Sequence, residues 1–203
     1  MSIWYIVIVI VGYLIGSINL SIILTKKVKG VDIRNEGSGN AGTTNTLRVL
    51  GKKYAAIVLL FDILKGVGVV LIAMLMSPLV ADANLLISLG GLAVILGHNF
   101  PLYYKFKGGK GVATTLGIIL VLTPSLGCIC LVFGLIIIAL TRMVSVGSIL
   151  GTILYPILVL FLAKEYFIFA LIVSLLLIFR HRKNIKKILE GNESKISLFK
   201  KKE

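Results

Sequence analysis

Six long apolar stretches follow one another along this chain of 203 residues, and polar residues are concentrated between them. The stretches lie at residues 3–24, 54–76, 85–100, 112–140, 146–162 and 166–179. Apolar runs of about this length with few charges are typical of helices that cross a membrane. The first stretch has no basic residues before it and no cleavage site after it, so it predicts a retained helix rather than a signal peptide.

The stretch at residues 112–140 is too long for one crossing. A single helix of that length would measure ~43 Å, whereas the hydrocarbon core of a bilayer is ~30 Å thick. Residues 123–127 (Thr-Pro-Ser-Leu-Gly) lie in its middle, and proline followed closely by glycine is a turn signal. We therefore expect two short helices, at 112–122 and 126–140, which brings the number of spans to seven.

Positive charge gives an independent test of that number. Of the 22 lysines and arginines, all but two lie in four groups, at residues 26–53, 105–110, 142 and 180–202. Cytoplasmic loops carry an excess of these residues. With seven spans all four groups fall on the cytoplasmic side, whereas six spans would place the last group outside. The pattern predicts an all-α polytopic membrane protein with about seven transmembrane helices, its N-terminus outside and its C-terminus cytoplasmic.

Composition supports a membrane protein and excludes several soluble classes. The chain is 58% hydrophobic and only 15% charged, with a mean hydropathy of +1.03. Its net charge of +14 is also typical of a nucleic-acid binder, but the positive-inside rule explains it, and we expect no nucleic-acid partner. Cys128 and Cys130 lie in an apolar stretch with neither disulfide nor metal-ligand spacing, so no metal site is predicted.

The first polar segment, residues 36–48, has the composition of an anion site. It contains three glycines within six residues, together with Ser38, Gly39 and Asn40, and leads into a helix. Glycines allow backbone amides to point inward together, and the start of a helix adds a positive dipole end. Arg48 lies within about the first turn of that helix and offers a bidentate fork for phosphate. We favour an anion site here over a plain turn.

The second polar segment, residues 97–112, superficially suggests a nucleotide-binding P-loop. That motif requires serine or threonine after its lysine, and here Gly111 follows Lys110. An ATPase is therefore not expected. What remains is a glycine-rich loop, containing Gly108 and Gly109, with a lysine at the start of another helix. His98 is interpreted as a hydrogen-bonding residue rather than a catalytic base.

The third and fourth polar segments, residues 141–148 and 180–195, contribute serines and a histidine. Ser145 fits the N-cap of a helix, and Ser148 would then face the same side one turn later. His181 and Asn184 are three residues apart and share a helix face, which a purely electrostatic tail would not require. With seven spans, all four polar segments lie at one membrane surface, where three helix starts, Arg48 and Lys110 would attract phosphorylated small molecules.

One charged pair lies inside an apolar stretch. Asp62 and Lys65 are one turn apart within the predicted second span, and such a pair is most simply a membrane-buried ion pair. A proton or ion path is the alternative interpretation.

These four segments carry a resemblance to a known family. In order and spacing, EGSGNAGTTNTLR, GHNFPLYYKFKGGKGVAT, RMVSVGSI and HRKNIKKILEGNESK resemble the bacterial acyl-phosphate:glycerol-3-phosphate acyltransferases of the PlsY type. The resemblance covers essentially the whole chain and implies one acyltransferase domain over residues 1–203, with 179–203 as a basic cytoplasmic tail. It implies a multi-pass enzyme of the bacterial inner membrane with its active site at the cytoplasmic face.

The resemblance also implies a reaction and its partners. A fatty acyl group would pass from acyl-phosphate to sn-glycerol-3-phosphate, giving lysophosphatidic acid and inorganic phosphate in the first step of phospholipid biosynthesis. Neither acyl-CoA nor acyl carrier protein would act as donor, and no cofactor is required. The expected partners are the two substrates, membrane lipid and the soluble enzyme that makes acyl-phosphate.

Residue roles follow from the same resemblance. It assigns catalysis to Ser38, Arg48, His181 and Asn184, and a structural role to Glu193. It assigns substrate and phosphate binding to Gly39, Asn40, Gly108, Gly109, Lys110, Gly111 and Ser145 or Ser148, the choice between the two serines being left open.

The residues themselves constrain the mechanism. Neither histidine is followed by a carboxylate in an HxxxxD arrangement, and no G-x-S-x-G elbow is present. Direct attack of the glycerol-3-phosphate hydroxyl on the mixed anhydride is therefore simpler than an acyl-serine. The proton would go to His181 or to a substrate phosphate oxygen.

Two other classes of function compete with an acyltransferase. A secondary transporter for an organic anion would use the glycine-rich loops as binding sites, but no inverted repeat is detectable and the polar segments are expected at one surface. A membrane scaffold would not need Ser38, Arg48, Lys110 and His181 to converge.

The charge distribution makes a prediction about topology. A reporter fused at Glu203 should be cytoplasmic, and one fused near Asp82 should be external, because seven spans place every basic group inside. Paired cytoplasmic and external reporters at both positions provide the measurement. An external Glu203 reporter would restore the six-span model.

Overall fold

The computed structural model describes residues 2–196, which form ten α-helices joined by short turns and contain no strand. The chain divides into two compact units, Met1–Leu122 and Thr123–Glu203. Residues 197–203, the end of the predicted basic tail, lie outside the described residues.

The first unit contains six helices and three short 3-10 turns. The helices are α1 (Ile3–Ser17), α2 (Leu20–Lys29), α3 (Thr43–Leu50), α4 (Lys52–Met76), α5 (Ala83–Asn99) and α6 (Val112–Leu122). The turns are Ile33–Asn35, Ser77–Leu79 and Leu102–Tyr104. Helix α1 packs along α5, and α4 packs against both α6 and α5.

Glycines allow the backbones of α1 and α5 to approach closely. A Cβ on Gly16 would overlap the carbonyl oxygen of Val94, and one on Gly12 would lie 3.1 Å from the carbonyl oxygen of Gly90. Small residues at such positions replace side-chain contact with backbone contact, as is common in membrane helix pairs. The four-residue spacing of Gly12 and Gly16 therefore marks the contact between these two helices.

The first apolar stretch is not one helix. Helix α1 ends at Ser17, and Ile18 and Asn19 have extended backbone before α2 begins. The side chain of Asn19 caps α2 by accepting a hydrogen bond from the amide of Ile22 at 3.1 Å. The Ser17 hydroxyl donates to the carbonyl of Tyr13 and accepts from the amide of Leu102. Polar residues inside an apolar stretch have therefore interrupted the predicted helix.

Up to residue 196, where the described structure ends, the second unit contains four helices and one 3-10 turn. They are α7 (Pro124–Thr141), α8 (Val144–Leu162), the turn Lys164–Tyr166, α9 (Phe167–Arg180) and α10 (Arg182–Leu189). Helices α7 and α8 are adjacent, and a Cβ on Gly147 would lie 2.5 Å from the carbonyl oxygen of Gly134. Helix α9 packs on α8, where the Ser174 hydroxyl donates to the carbonyl of Thr152.

The predicted break in the 112–140 stretch is confirmed. Helix α6 ends at Leu122 and α7 begins at Pro124, with Thr123 as its N-cap residue. Proline suits the first position of a helix because it has no amide hydrogen to leave unpaired. The start of the second span differs from the prediction, because Gly51, with a φ of 85°, separates the short helix α3 from α4.

Five segments of the described residues are long and apolar enough to cross a membrane. They are Ile3–Lys29, Lys52–Leu79, Ala83–Tyr104, Pro124–Thr141 and Val144–Leu162. Large apolar side chains point outward from them, and Leu75, Leu140 and Phe161 are 81%, 76% and 71% exposed. Lipid is the environment in which such surfaces are stable. Helices α6 and α9, with 11 and 14 residues, are shorter.

Candidate functional site

Asn45 organises the first polar segment. It is 1% exposed and lies in α3, where its Oδ1 accepts a hydrogen bond from the amide of Ser38 at 2.9 Å. Its Nδ2 donates to the carbonyls of Glu36 at 2.8 Å and Ile33 at 3.2 Å. One buried amide therefore fixes three backbone groups of the loop that precedes its own helix.

The predicted residues of this segment lie on the surface of that loop. Ser38 and Gly39 are exposed, Asn40 is half-buried, and Gly39 has a φ of 71°. Within the described part of the chain, the Ser38 hydroxyl makes no hydrogen bond.

The expected location of Arg48 is wrong. Arg48 lies in the last turn of α3, not the first, and it is exposed. The reason is that α3 is only eight residues long, so a residue five positions after its start is already near its end. Its guanidinium therefore comes from the C-terminal end of the helix.

The glycines of the second polar segment lie against the end of α5. The amide of Gly109 donates to the carbonyl of His98 at 3.1 Å, and the amide of Gly108 donates to the carbonyl of Asn99 at 3.2 Å. A Cβ on Gly109 would overlap His98 Nε2, and one on Gly108 would overlap the His98 carbonyl oxygen. The loop can approach α5 so closely only because these positions have no side chain.

Gly111 and Lys110 complete this loop at the start of α6. Gly111 has a φ of 88°, a region that residues with a Cβ rarely adopt. It is buried, whereas Lys110 immediately before it is half-buried. The left-handed turn at Gly111 thus brings Lys110 next to the N-terminus of α6, which begins at Val112.

The first and second polar segments meet within the first unit. The position of a Cβ on Gly109 lies 2.7 Å from the carbonyl oxygen of Ala41. Arg34 adds a second link, because its Nη1 donates to the carbonyls of Tyr104 at 2.7 Å and Lys107 at 3.4 Å. The two glycine-rich loops, which were predicted to lie at one membrane surface, are therefore in contact.

Asp32 holds Arg34 in the orientation that makes this link. Its carboxylate accepts from Arg34 Nη2 at 2.6 Å and from Nε at 2.9 Å. The guanidinium lowers the pKa of Asp32, and the carboxylate raises the pKa of Arg34 in return, so the pair remains ionised at neutral pH.

A second polar cluster in this unit lies inside the helices. Asp62, Lys65 and His98 are 3%, 5% and 3% exposed. Lys65 Nζ lies 2.7 Å from Asp62 Oδ1 and 2.8 Å from His98 Nδ1. The buried Asp62–Lys65 ion pair predicted from the sequence is confirmed, and His98 is part of the same cluster.

Glu193 organises the polar residues of the second unit. Its Oε1 accepts hydrogen bonds from the Ser145 hydroxyl at 2.7 Å and from Asn184 Nδ2 at 2.8 Å. The amide of Ile196, the residue after the fourth polar segment, donates to the carbonyl of Arg142 in the third segment. One carboxylate thus connects the start of α8 with α10.

The predicted role of Ser145 as an N-cap is wrong. Helix α8 begins at Val144 with Met143 as its N-cap residue, and the Ser145 hydroxyl is not available as a cap because it donates to Glu193. Ser145 is buried and directed to Glu193. The Ser148 hydroxyl donates to the carbonyl of Val144 in its own helix, so Ser145 is the serine that joins the cluster.

His181 lies at the junction of α9 and α10 and is 2% exposed. Its Nδ1 lies 2.8 Å from the carbonyl oxygen of Leu177. A carbonyl only accepts, so Nδ1 carries the proton. In the neutral imidazole, Nε2 is then the nitrogen that can accept a proton, which is the form that a general base requires.

Sequence reasoning found most of these polar residues but missed the ones that position them. Asn45, Arg34 and Asp32 were not singled out. Their signal in the sequence was weak, since asparagine, arginine and aspartate are ordinary residues of loops. No group of three or more His, Cys, Asp or Glu side chains in residues 2–196 is placed to hold a metal ion.

Comparison with known proteins gives a consistent result across the chain. A family model described as glycerol-3-phosphate acyltransferase matches residues 6–191. The chain is 49% identical to a glycerol-3-phosphate acyltransferase of Thermoanaerobacter pseudethanolicus over 189 residues, covering 92% of this chain and 93% of the relative. It is 45% identical to one of Clostridioides difficile over 194 residues, covering 95% of each.

A solved structure extends this similarity to the fold. The chain is similar to a crystal structure of PlsY (YgiH), an integral membrane glycerol 3-phosphate acyltransferase, in its glycerol 3-phosphate form. The TM-score is 0.87 at 39% identity, and the match covers 95% of this chain and 96% of that one. A lysophosphatidic acid form of the same protein gives a TM-score of 0.85 at 38% identity, with 95% of each chain covered.

The hydrogen bonds of Asn45 make a prediction. Replacing Asn45 with alanine leaves the Ser38 amide and two carbonyls without their partner, which should lower the free energy of unfolding by ~1–3 kcal/mol. Hydrogen exchange of residues 33–38 should become faster, and the melting temperature in detergent should fall. Asn35→Ala, at an exposed position of the same loop, is the control and should change neither. Unchanged exchange in Asn45→Ala would contradict the role assigned to this amide.

Proposed function

This chain belongs to the glycerol-3-phosphate acyltransferase family, of the PlsY type, and we propose that it transfers a fatty acyl group from acyl-phosphate to the hydroxyl of sn-glycerol-3-phosphate. The products are lysophosphatidic acid and inorganic phosphate, and the reaction is the first step of phospholipid biosynthesis. The observation that carries this proposal is the match over residues 6–191, because that range contains every residue with an assigned catalytic or binding role.

The proposed reaction is a direct acyl transfer. The glycerol-3-phosphate hydroxyl oxygen attacks the acyl carbonyl carbon, the carbon–oxygen bond to phosphate breaks, and inorganic phosphate leaves. The hydroxyl proton goes to His181 Nε2 or to a phosphate oxygen. Since acyl-phosphate is already activated, positioning and charge neutralisation supply much of the catalysis. Neither histidine is followed by a carboxylate in an HxxxxD arrangement, and no G-x-S-x-G elbow occurs in the sequence, which supports direct transfer over an acyl-serine intermediate.

Separate roles are proposed for the charged and polar residues. Lys110, with the Gly108–Gly111 loop, binds the phosphate of glycerol-3-phosphate, while Arg48 with Ser38, Gly39 and Asn40 neutralises charge on the donor phosphate. A guanidinium or ammonium donating to phosphate forms a charge-assisted hydrogen bond. In the second unit, Glu193 holds Ser145 and Asn184, which supports Ser145 rather than Ser148 as a phosphate ligand.

The setting proposed for this reaction is the bacterial inner membrane. The chain is a multi-pass membrane protein, and we propose seven spans with the N-terminus outside and the active site at the cytoplasmic face. The distribution of lysines and arginines supports this orientation. We propose that residues 1–203 act as one acyltransferase domain and that the soluble enzyme that makes acyl-phosphate delivers the donor.

The donor can be tested directly. Purified protein incubated with palmitoyl phosphate and labelled glycerol-3-phosphate should form lysophosphatidic acid without ATP or acyl-CoA. Thin-layer separation of the labelled product provides the measurement. Robust turnover with acyl-CoA alone would contradict the proposed donor.

Two cation variants should separate the phosphate sites. Lys110→Ala should raise KM for glycerol-3-phosphate, and Arg48→Ala should lower kcat, each by roughly tenfold to a hundredfold, since a hydrogen bond to a charged group contributes ~1.5–3 kcal/mol. Steady-state kinetics with each substrate varied in turn distinguishes the two effects. Lys107→Ala and Lys53→Ala, which remove nearby exposed lysines, are the matched controls. If both Lys110→Ala and Arg48→Ala raised KM and left kcat unchanged, Arg48 would contribute to substrate binding and not to the acyl-transfer step.

His181 should leave a signature in the pH profile. If Nε2 is the base, the rate of the unmodified protein rises with pH as the His181 imidazole loses its proton. The residual rate of His181→Ala should be lower and should lack that titration. Lys183→Ala, at an exposed position on α10, should keep the normal profile. Normal activity in folded His181→Ala would leave proton transfer to a substrate phosphate as the mechanism.

A further inference from the structure

The buried cluster of Asp62, Lys65 and His98 takes no part in the proposed transfer. All three side chains lie among the helices of the first unit, and none is more than 5% exposed. Asp62 and Lys65 come from the middle of α4, whereas His98 is next to last in α5. A charged pair at this depth is costly unless it is fully hydrogen-bonded.

The hydrogen bonds of Lys65 account for all three of its N–H groups. One points to Asp62 Oδ1 at 2.7 Å and one to His98 Nδ1 at 2.8 Å. The third lies between the carbonyl oxygens of Gly16 at 3.4 Å and Ile18 at 3.3 Å, where α1 ends. Lys65 therefore joins α4 to α5 and to the break between α1 and α2.

These bonds favour one protonation state of His98, because its Nδ1 lies closer to Lys65 Nζ, at 2.8 Å, than to Asp62 Oδ1, at 3.3 Å. An ammonium group only donates, so His98 Nδ1 must accept, and the neutral ring carries its proton on Nε2. His98 Nδ1 and Asp62 Oδ1 are 3.3 Å apart. Both atoms are then acceptors of hydrogen bonds from the ammonium group of Lys65. This tautomer is the opposite of the one found for His181.

The other edge of the His98 ring faces the second polar segment. A Cβ on Gly109 would overlap Nε2, and the Gly109 amide already donates to the His98 carbonyl. His98 thus contacts Gly109 through both its ring and its backbone, and Gly109 is the residue immediately before Lys110. The position of the loop depends on how this ring is held.

We propose that Lys65, Asp62 and His98 are positioning residues that hold the Gly108–Gly111 loop in the conformation that binds glycerol-3-phosphate. Lys65 fixes the Nε2–H tautomer of His98, Asp62 holds Lys65, and the ring supports Gly109. None of the three touches substrate. That this loop binds glycerol-3-phosphate rests on the proposed function. The tautomer of His98 and the contact by which its ring supports the loop do not.

A pair of amide variants separates positioning from simple stability. His98→Gln can place an N–H near the Nε2 position, whereas His98→Asn is too short to reach it. His98→Asn should raise KM for glycerol-3-phosphate roughly tenfold, because the shorter side chain leaves a cavity beside Gly109, while His98→Gln stays near the normal KM. Both should keep a near-normal kcat for acyl transfer, and their melting temperatures in detergent should be similar. Equal KM values in the two folded variants would overturn the proposal.

Two further measurements do not depend on activity. Nitrogen NMR of ring-labelled histidine, assigned with a His181→Gln variant, should show His98 protonated at Nε2 and unprotonated at Nδ1. Lys65→Met should remove that preference and speed hydrogen exchange in residues 105–111, whereas Lys164→Met, at an exposed lysine, should not. A protonated Nδ1, or unchanged loop exchange in Lys65→Met, would overturn the inference. Failure of the unmodified protein to acylate glycerol-3-phosphate would instead refute the proposed function. The NMR and hydrogen-exchange measurements would still show whether Lys65 and His98 hold the loop.

Discussion

The first unit depends on one ammonium group in the middle of an apolar helix. Within hydrocarbon, a lysine is tolerated only when its charge is neutralised and each N–H has an acceptor. Lys65 meets this requirement with Asp62, with His98 Nδ1 and with the carbonyls where α1 ends. The same bonds give a partner to carbonyl oxygens at the break between α1 and α2, where the next helical turn does not supply one.

The two histidines of the chain are held in opposite tautomers, and this difference separates their roles. His98 accepts at Nδ1 from Lys65, so its Nε2 is a donor and cannot take a proton from a substrate hydroxyl. His181 donates from Nδ1 to the carbonyl of Leu177, so its Nε2 can take one. By residue type, both histidines are candidates for the base that takes the substrate hydroxyl proton. Their hydrogen bonds leave only His181 as a candidate.

The sequence was informative wherever one local cause dominated. The break before Pro124 follows from helix length and proline geometry, and the Asp62–Lys65 pair follows from i, i+3 spacing. Contacts that depend on distant partners could not be predicted. Asn45 reaches back to Ser38 only because the loop folds over α3, and Ser145 meets Glu193 across 48 positions of sequence. Placing Arg48 in the first turn failed because the helix-ending signal of Gly51 was given no weight, and α3 stops there.

Glycine-rich loops near phosphate are usually explained by amides that point at the anion. In the second polar segment, the amides of Gly108 and Gly109 donate instead to carbonyls at the end of α5, and their missing side chains make room for His98. The glycines therefore attach the loop closely to a helix that is itself held by Lys65. We infer that the charge of Lys110 attracts phosphate. The glycines on either side of Lys110 pack against His98, which Lys65 and Asp62 hold in place, and this packing determines where the charge lies.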